Sequence, residues 1–225
     1  MPPTAEMTVQ AEDPTERAAQ ACEVTRLLAK AHPDARCALD HDNAFQLLVA
    51  TILSAQCTDE RVNTVTGELF SRWPDAHLLA AAQSDELEAL IRPTGFFRNK
   101  TRSLIGMAQR LVSHHRGDVP RTMDELVALR GVARKTANVV LGNAFGIPGL
   151  PVDTHVGRIA RRLGLTAAQD PIKVEAELCA LLPESEWTSF SHKMIFHGRR
   201  VCQARTPACD RCALRHLCDW PDQSC

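Results

Sequence analysis

Residues 129–165 read LRGVARKTANVVLGNAFGIPGLPVDTHVGRIARRLGL. Helical patterns on either side of the break at 129–133 predict two helices joined by a tight hairpin. Such a turn directs free backbone N–H groups and the positive end of the second helix toward one point, which suits an anionic oxygen such as a nucleic-acid phosphate. An ordinary corner between two helices is a commoner cause of this pattern, so the hairpin alone does not identify a phosphate site.

The rest of the chain is also helical in pattern. No segment alternates apolar and polar residues for long enough to predict a sheet, and the chain has only 4% aromatic residues. We therefore predict an all-α fold. The predicted helices cover residues 16–32, 43–57, 59–73, 77–92, 100–115, 122–129, 134–146, 154–165, 172–182 and 187–200. Residues 1–16, rich in Pro, Glu and Thr, are predicted to be a disordered acidic tail.

Four cysteines near the C-terminus have the spacing C-x6-C-x2-C-x5-C; they are Cys202, Cys209, Cys212 and Cys218. Four thiolates in so short a segment indicate a metal centre, either zinc or a 4Fe-4S cluster. Only the middle pair forms a short knuckle, and this uneven spacing favours the cluster over a zinc ribbon. Disulfides are disfavoured because the chain opens without a basic, apolar signal segment, which predicts a reducing, cytoplasmic location.

The charge distribution permits a nucleic-acid partner although the net charge is -1. Residues 1–16 contain four acidic residues and no Lys or Arg, so the remainder carries about +3. Local clusters matter more than net charge for binding a polyanion. The basic clusters are Arg98, Lys100 and Arg102; Arg130, Arg134 and Lys135; Arg158, Arg161 and Arg162; and Arg199, Arg200, Arg205, Arg211 and Arg215. Each cluster taken singly is also typical of a solvated helix face.

Together, these patterns resemble a known family. Segment 129–165 is similar to the helix-hairpin-helix, Gly/Pro-rich loop and aspartate of the DNA glycosylase superfamily, and the cysteine spacing is similar to the iron–sulfur loop of its endonuclease III branch. The resemblance implies a monomeric, bifunctional DNA glycosylase and AP lyase of base excision repair with a 4Fe-4S cluster. It also implies double-stranded DNA containing oxidised pyrimidines or abasic sites as the partner, and no membrane association.

The resemblance implies Lys135 and Asp153 as the catalytic pair. A lysine amine can attack C1′ of the sugar, expel the base and remain as a Schiff base that acidifies the neighbouring proton for β-elimination. We expect Asp153 to stabilise positive charge developing on the sugar and to orient or accept a proton. Without the resemblance, an exposed helix lysine and a helix-capping aspartate would be the default interpretations. One carboxylate can perform both tasks.

Further residues are expected to contact DNA by the same resemblance. Gln56 matches the residue that inserts opposite the lesion, and Phe96 stands where the family usually has a leucine wedge. The hairpin departs from the usual Leu-Pro-Gly-Val-Gly at Arg130 and Ala133. We expect Ala133 to loosen the phosphate contact, because glycine allows a closer backbone approach and a free φ, and Arg130 to compensate through a salt-sensitive side-chain contact. The remaining candidates are Arg130, Gly131, Ala133 and Arg134 in the hairpin, and His155 in the substrate pocket.

The resemblance also implies two helical lobes with DNA in the cleft between them. A six-helix bundle carrying the hairpin is expected over residues 37–147, and an iron–sulfur domain over 17–36 plus 148–225. Two rival functions remain. One is a monofunctional glycosylase for mispaired adenine or thymine, whose members place a different residue at the Lys135 position. The other is a non-catalytic iron–sulfur DNA-binding protein.

Overall fold

The computed structural model describes residues 14–220, which form eleven α-helices and short 3-10 turns, with no strand in that range. The predicted all-α fold is confirmed. The helices are α1 (Pro14–Ala31), α2 (Ala44–Leu53), α3 (Asp59–Arg72), α4 (Ala76–Ala80), α5 (Ser84–Ile91), α6 (Phe97–His115), α7 (Met123–Val127), α8 (Arg134–Ala144), α9 (Thr154–Arg162), α10 (Pro171–Leu181) and α11 (Trp187–Arg200). None of the described helices combines the length and apolar character that crossing a membrane requires.

Several predicted boundaries differ from the structure. The helix predicted over 43–57 ends at Leu53, so that Gln56 lies in the following turn, and the helix predicted over 154–165 ends at Arg162. The predicted acidic tail lies outside the described residues except for 14–16, which form the first turn of α1. The single helix predicted over 77–92 is two helices, α4 and α5, separated by residues 81–83. The second of them starts with Asp85 and Glu86 in its first turn, where negative charge complements the helix dipole.

Most helices begin at a residue whose side chain accepts a backbone hydrogen bond. Asn43, Thr58, Asp75, Thr122 and Asp170 each cap a helix in this way, at the starts of α2, α3, α4, α7 and α10. Each cap satisfies one of the N–H groups that a helix leaves unpaired at its start. These short polar residues therefore determine where most of the helices begin.

Apolar side chains gather into two separate cores. The first contains buried residues of α2 to α8, with Leu104 and Met107 of α6 fully buried near its centre. The second joins α1 to α9, α10 and α11, with Leu28 and Phe190 fully buried. The chain passes from the first core to the second only after α8, through the segment 145–153.

The packing of α4 on α6 gives a matched stability test. Leu104 is fully buried, whereas Leu78 on α4 is 50% exposed. Leu104→Ala should lower the free energy of unfolding by about 2–5 kcal/mol because it leaves a cavity. Leu78→Ala should change it by about 0.5 kcal/mol or less. Urea unfolding of both variants measures the difference, and equal losses would contradict the assigned core.

Candidate functional site

Lys135 and Asp153 line the same pocket between the two cores. Lys135 is the second residue of α8 and is exposed, and Asp153 immediately precedes α9. They also line a second depression on the α10 side. Lys135 of the first core and Asp153, at the edge of the second, therefore share one opening.

The connection between α8 and α9 brings these two residues together by running back along α8. After α8 ends, the Ile147 N–H donates to the Leu141 carbonyl (3.0 Å), and the Asn138 side chain donates to the Leu150 carbonyl (3.4 Å). Gly149 lies so close to α8 that a Cβ there would be 2.8 Å from the Asn138 carbonyl oxygen. Only glycine permits this approach, and the chain consequently reaches Asp153 level with the start of α8.

Asp153 is held rigidly at the pocket wall. Its Oδ1 accepts hydrogen bonds from the backbone N–H groups of His155 (2.8 Å) and Val156 (2.9 Å), which caps α9. A carboxylate has four lone-pair sites, so capping by one oxygen leaves the other able to face the pocket. The capping and catalytic interpretations of Asp153 are thus compatible.

The hairpin before α8 is built around Gly131. This residue has φ of +80°, and a Cβ there would lie 2.7 Å from Cβ of Ser103. Ala133 has φ of −95° and ψ of 168°, which any residue adopts, so its own conformation does not require glycine. The looser phosphate contact expected from its Cβ stays a prediction. The Ala133 side chain cannot cap α8, and the first N–H groups of the helix are available to an external acceptor.

Gln56 and Phe96, the predicted insertion residues, both lie at exposed turns with left-handed backbone. Their φ angles are 53° and 47°. Phe96 is 62% exposed, which is unusual for so large an apolar side chain. Left-handed backbone is disfavoured for residues other than glycine, and such strain often occurs at functional sites. Both residues are therefore presented outward by constrained turns.

All four candidate metal-binding cysteines line one pocket in the second core. Arg162, only 6% exposed, donates a hydrogen bond to Cys202 Sγ (3.1 Å), and the buried His197 places Nε2 3.5 Å from Cys212 Sγ. No group of three His, Cys, Asp or Glu side chains within residues 14–220 is arranged around a single ion. Four soft donors around one pocket, beside a buried cation that offsets thiolate charge, fit a 4Fe-4S cluster, in which each cysteine binds a different iron.

Comparisons with known proteins agree with this geometry. Residues 49–184 match the family described as HhH-GPD superfamily base excision DNA repair protein. Endonuclease III of Synechocystis is 55% identical over 200 residues, which is 88% of this chain and 91% of that protein. The chain belongs to the endonuclease III family.

Solved structures of this family match the whole fold. A non-covalent endonuclease III–DNA complex is 44% identical, with a TM-score of 0.88 over 92% of this chain and 97% of that chain. A trapped endonuclease III–DNA covalent intermediate has the same identity and TM-score, with 92% and 98% covered. Members of the endonuclease III family are DNA glycosylases with AP lyase activity, and this chain is therefore an enzyme of base excision repair.

Several basic residues of this endonuclease III family member are committed to internal contacts. Arg134, predicted to bind DNA, forms an ion pair with the buried Glu175 of α10 (2.7 Å). The stem of Arg130 packs over Gly106, and Lys100 and Arg162 are buried. The basic clusters identified in the sequence therefore do not form one continuous free surface, and the DNA contacts of Arg130 and Arg134 stay predictions.

His155 does not line the pocket shared by Lys135 and Asp153. Its ring packs against Gly198 of α11, where a Cβ would be 2.6 Å from Nδ1, and Arg158 donates to that nitrogen (3.1 Å). Burial lowers the pKa of His155. The structure thus gives His155 a place in the packing of α9 on α11.

Three pocket residues were not assigned to the site by sequence reasoning. Arg199 forms an ion pair across the cleft with Asp59 of α3 (2.7 Å), and His192 Nε2 donates to Asn143 Oδ1 (2.7 Å). All three line the pocket of Lys135. Asp59 is the last residue of the stretch Ser-Ala-Gln-Cys-Thr-Asp, which contains Gln56. This closeness to Gln56 was the sequence feature that could have indicated a place for Asp59 in the site.

The pocket histidine predicts a pH dependence. Burial lowers the pKa of His192 below its ordinary 6.5, so the unfolded chain binds more protons below that pH, and the free energy of unfolding decreases as the pH falls below 6.5. His192→Gln keeps a donor toward Asn143 but removes the titrating group. In this variant, the decrease in the free energy of unfolding per pH unit should be smaller than in the wild type by up to about 1.4 kcal/mol. Denaturant unfolding at several acidic pH values measures it, and an unchanged slope would contradict the assignment.

Proposed function

We propose that this chain excises oxidised pyrimidines from double-stranded DNA and then cleaves the abasic strand, with Lys135 as the nucleophile and Asp153 as its carboxylate partner. The observation that carries this proposal is the shared pocket of the two side chains between the cores. The trapped covalent intermediate of a 44% identical relative supports a covalent route. A lysine favours the bifunctional enzyme over the monofunctional rival, since hydroxyl and carboxylate nucleophiles cannot form an iminium.

The proposed reaction uses the lone pair of the neutral Lys135 amine. Nζ attacks C1′, and the glycosidic bond breaks with its electron pair leaving on the base, which takes up a proton. The C1′–O4′ bond then breaks, O4′ takes up the proton that Nζ gives up after attack, and C1′ becomes an iminium carbon bonded to Nζ. The iminium acidifies the C2′ proton, and loss of that proton expels the 3′ phosphate by β-elimination. Water then hydrolyses the Schiff base and releases Lys135. Asp153, fixed by its α9 cap, stabilises the positive charge on the sugar during attack.

We infer that the hairpin holds the DNA backbone and the exposed turns hold the duplex open. The uncapped N–H groups at the start of α8 suit a phosphate oxygen. Reaching a base inside a duplex requires its extrusion, and Gln56 and Phe96 are placed on outward turns where they could fill the gap. The pocket around Lys135 would then receive the extruded pyrimidine.

The two cores are proposed as two domains, 37–147 and 17–36 plus 148–225, with a 4Fe-4S cluster held by Cys202, Cys209, Cys212 and Cys218 in the second. A bound cluster would supply structural cross-linking of the C-terminal loop. Arg162 also binds the backbone of this loop, because its guanidinium donates hydrogen bonds to the Gln203 and Ala204 carbonyls (2.9 Å each). We propose that the protein acts as a cytoplasmic monomer.

Replacing the proposed nucleophile tests the mechanism. Wild-type protein should form a covalent adduct with abasic DNA under borohydride, and Lys135→Ala should form none while losing strand cleavage at least about 10²-fold. Lys173→Ala removes an exposed lysine of α10 outside the pocket and should behave as wild type. Gel analysis of trapped and cleaved DNA measures both effects.

The rivals predict different outcomes of the same assay. Base excision without any borohydride adduct would support a monofunctional glycosylase, and tight DNA binding without excision would support a non-catalytic protein. Parallel excision assays on thymine glycol, dihydrouracil and mispaired substrates test the proposed preference for oxidised pyrimidines. A preference for mispaired bases would overturn that part of the proposal.

Removing a proposed ligand tests the cluster. The purified protein should be brown and contain iron and sulfide in equal amounts, whereas Cys212→Ala should lose the cluster absorption because one iron lacks its thiolate. Cys22→Ala, at an exposed position on α1, should retain it. Iron and sulfide analysis with visible absorption measures this outcome. Stoichiometric zinc in place of iron would overturn the assignment.

A further inference from the structure

Lys100 of α6 is a buried lysine directly beneath the turn that carries Phe96. It is only 5% exposed, and its ammonium donates a hydrogen bond to the Thr94 carbonyl (2.7 Å), a neutral acceptor. Burial lowers its pKa. Lysine is almost never buried without a strong reason, because removing an ammonium from water is costly. The position therefore indicates a specific task.

The contacts of Lys100 lie on both sides of the turn. Its side chain binds the carbonyl of Thr94, and its backbone N–H donates to the carbonyl of Phe96 (3.1 Å). Between these two anchors lie Gly95 (φ 71°) and the left-handed Phe96 (φ 47°). Thr94 is itself buried and donates to the Ile91 carbonyl (2.8 Å). One residue thus fastens both ends of the strained, exposed turn.

We propose that Lys100 is a positioning residue that holds the Gly95–Phe96 turn in its left-handed conformation, so that the Phe96 ring can enter the duplex at the lesion. This inference rests on the proposed insertion role of Phe96. Without the ammonium, the turn would relax toward backbone angles that non-glycine residues prefer. The chemistry at Lys135 would be unaffected, and only the opening of a paired duplex would suffer.

The test compares paired with unpaired substrates. Lys100→Met keeps the length of the stem and removes the donor, and should excise a lesion from a fully paired duplex about tenfold more slowly, equivalent to ~1.4 kcal/mol. Cleavage of an abasic site in single-stranded DNA should be unchanged. Lys193→Met removes a lysine whose side chain is 15% exposed on α11, and should change neither rate. Thermal unfolding establishes that each variant is folded.

Further variants separate the hydrogen bond from a general structural effect. Phe96→Ala should show the same duplex-specific loss, and combining it with Lys100→Met should add nothing. Lys100→Gln retains a donor for the Thr94 carbonyl and should lose less than Lys100→Met. If Lys100→Met does not fold, Lys100→Gln is compared with wild type in the presence and absence of Phe96→Ala, with the same expectation of a non-additive loss.

The outcomes distinguish the two levels of the proposal. If Phe96→Ala excises lesions from duplex DNA at the wild-type rate, both the insertion role of Phe96 and the positioning role of Lys100 are overturned. If Phe96→Ala excises lesions from duplex DNA more slowly but the Lys100 variants do not, only the positioning role of Lys100 is overturned. The positioning role is also overturned if the rate losses of Lys100→Met and Phe96→Ala multiply in the double variant. The same holds if Lys100→Met slows cleavage of single-stranded DNA as much as excision from duplex DNA, since Lys100 would then act independently of Phe96.

Discussion

The return of the chain along α8 is the constraint on which the site depends. Had residues 145–153 extended away from α8, Asp153 would start α9 far from Lys135, and the two cores would share no reactive pocket. The return depends on the close approach of Gly149 to the Asn138 backbone and on the hydrogen bond from Asn138 to Leu150. The geometry of the shared pocket is therefore a product of backbone packing, and the two proposed catalytic side chains occupy positions that this packing provides.

The range of each interaction along the chain explains how much of the structure the sequence could predict. The hairpin, the helices around it and the four cysteines were predictable because glycine, helix periodicity and thiolate spacing act locally. Interactions between distant parts of the chain could not be predicted. The sequence predicts a DNA contact for Arg134, and only the fold shows that this side chain also pairs with Glu175, forty-one residues later. The role of Asp59 as an ion-pair partner is seen only in the fold, where α11 places Arg199 across the cleft from it.

The hairpin shows a limit of motif patterns. Glycine in the family pattern at the position of Ala133 could provide either φ freedom or space, and in this structure only Gly131 of the two residues has a positive φ. The pattern of a motif does not tell which of its glycines provides a conformation and which merely leaves space. Lys100 shows the same limit for charge: in the sequence it belongs to a basic cluster, whereas in the fold it is enclosed beneath a turn.

Two ion pairs cross the cleft at different places, Arg134 with Glu175 and Arg199 with Asp59. Glu175 is almost completely enclosed, so pulling it away from its guanidinium would strand an anion in an apolar setting. The two arginine side chains are similarly exposed, at 46% for Arg134 and 43% for Arg199, whereas Asp59 is 19% exposed and Glu175 is 10% exposed. Separating the two cores would break both ion pairs, and the larger electrostatic cost would fall on Glu175, the more deeply buried of the two carboxylates.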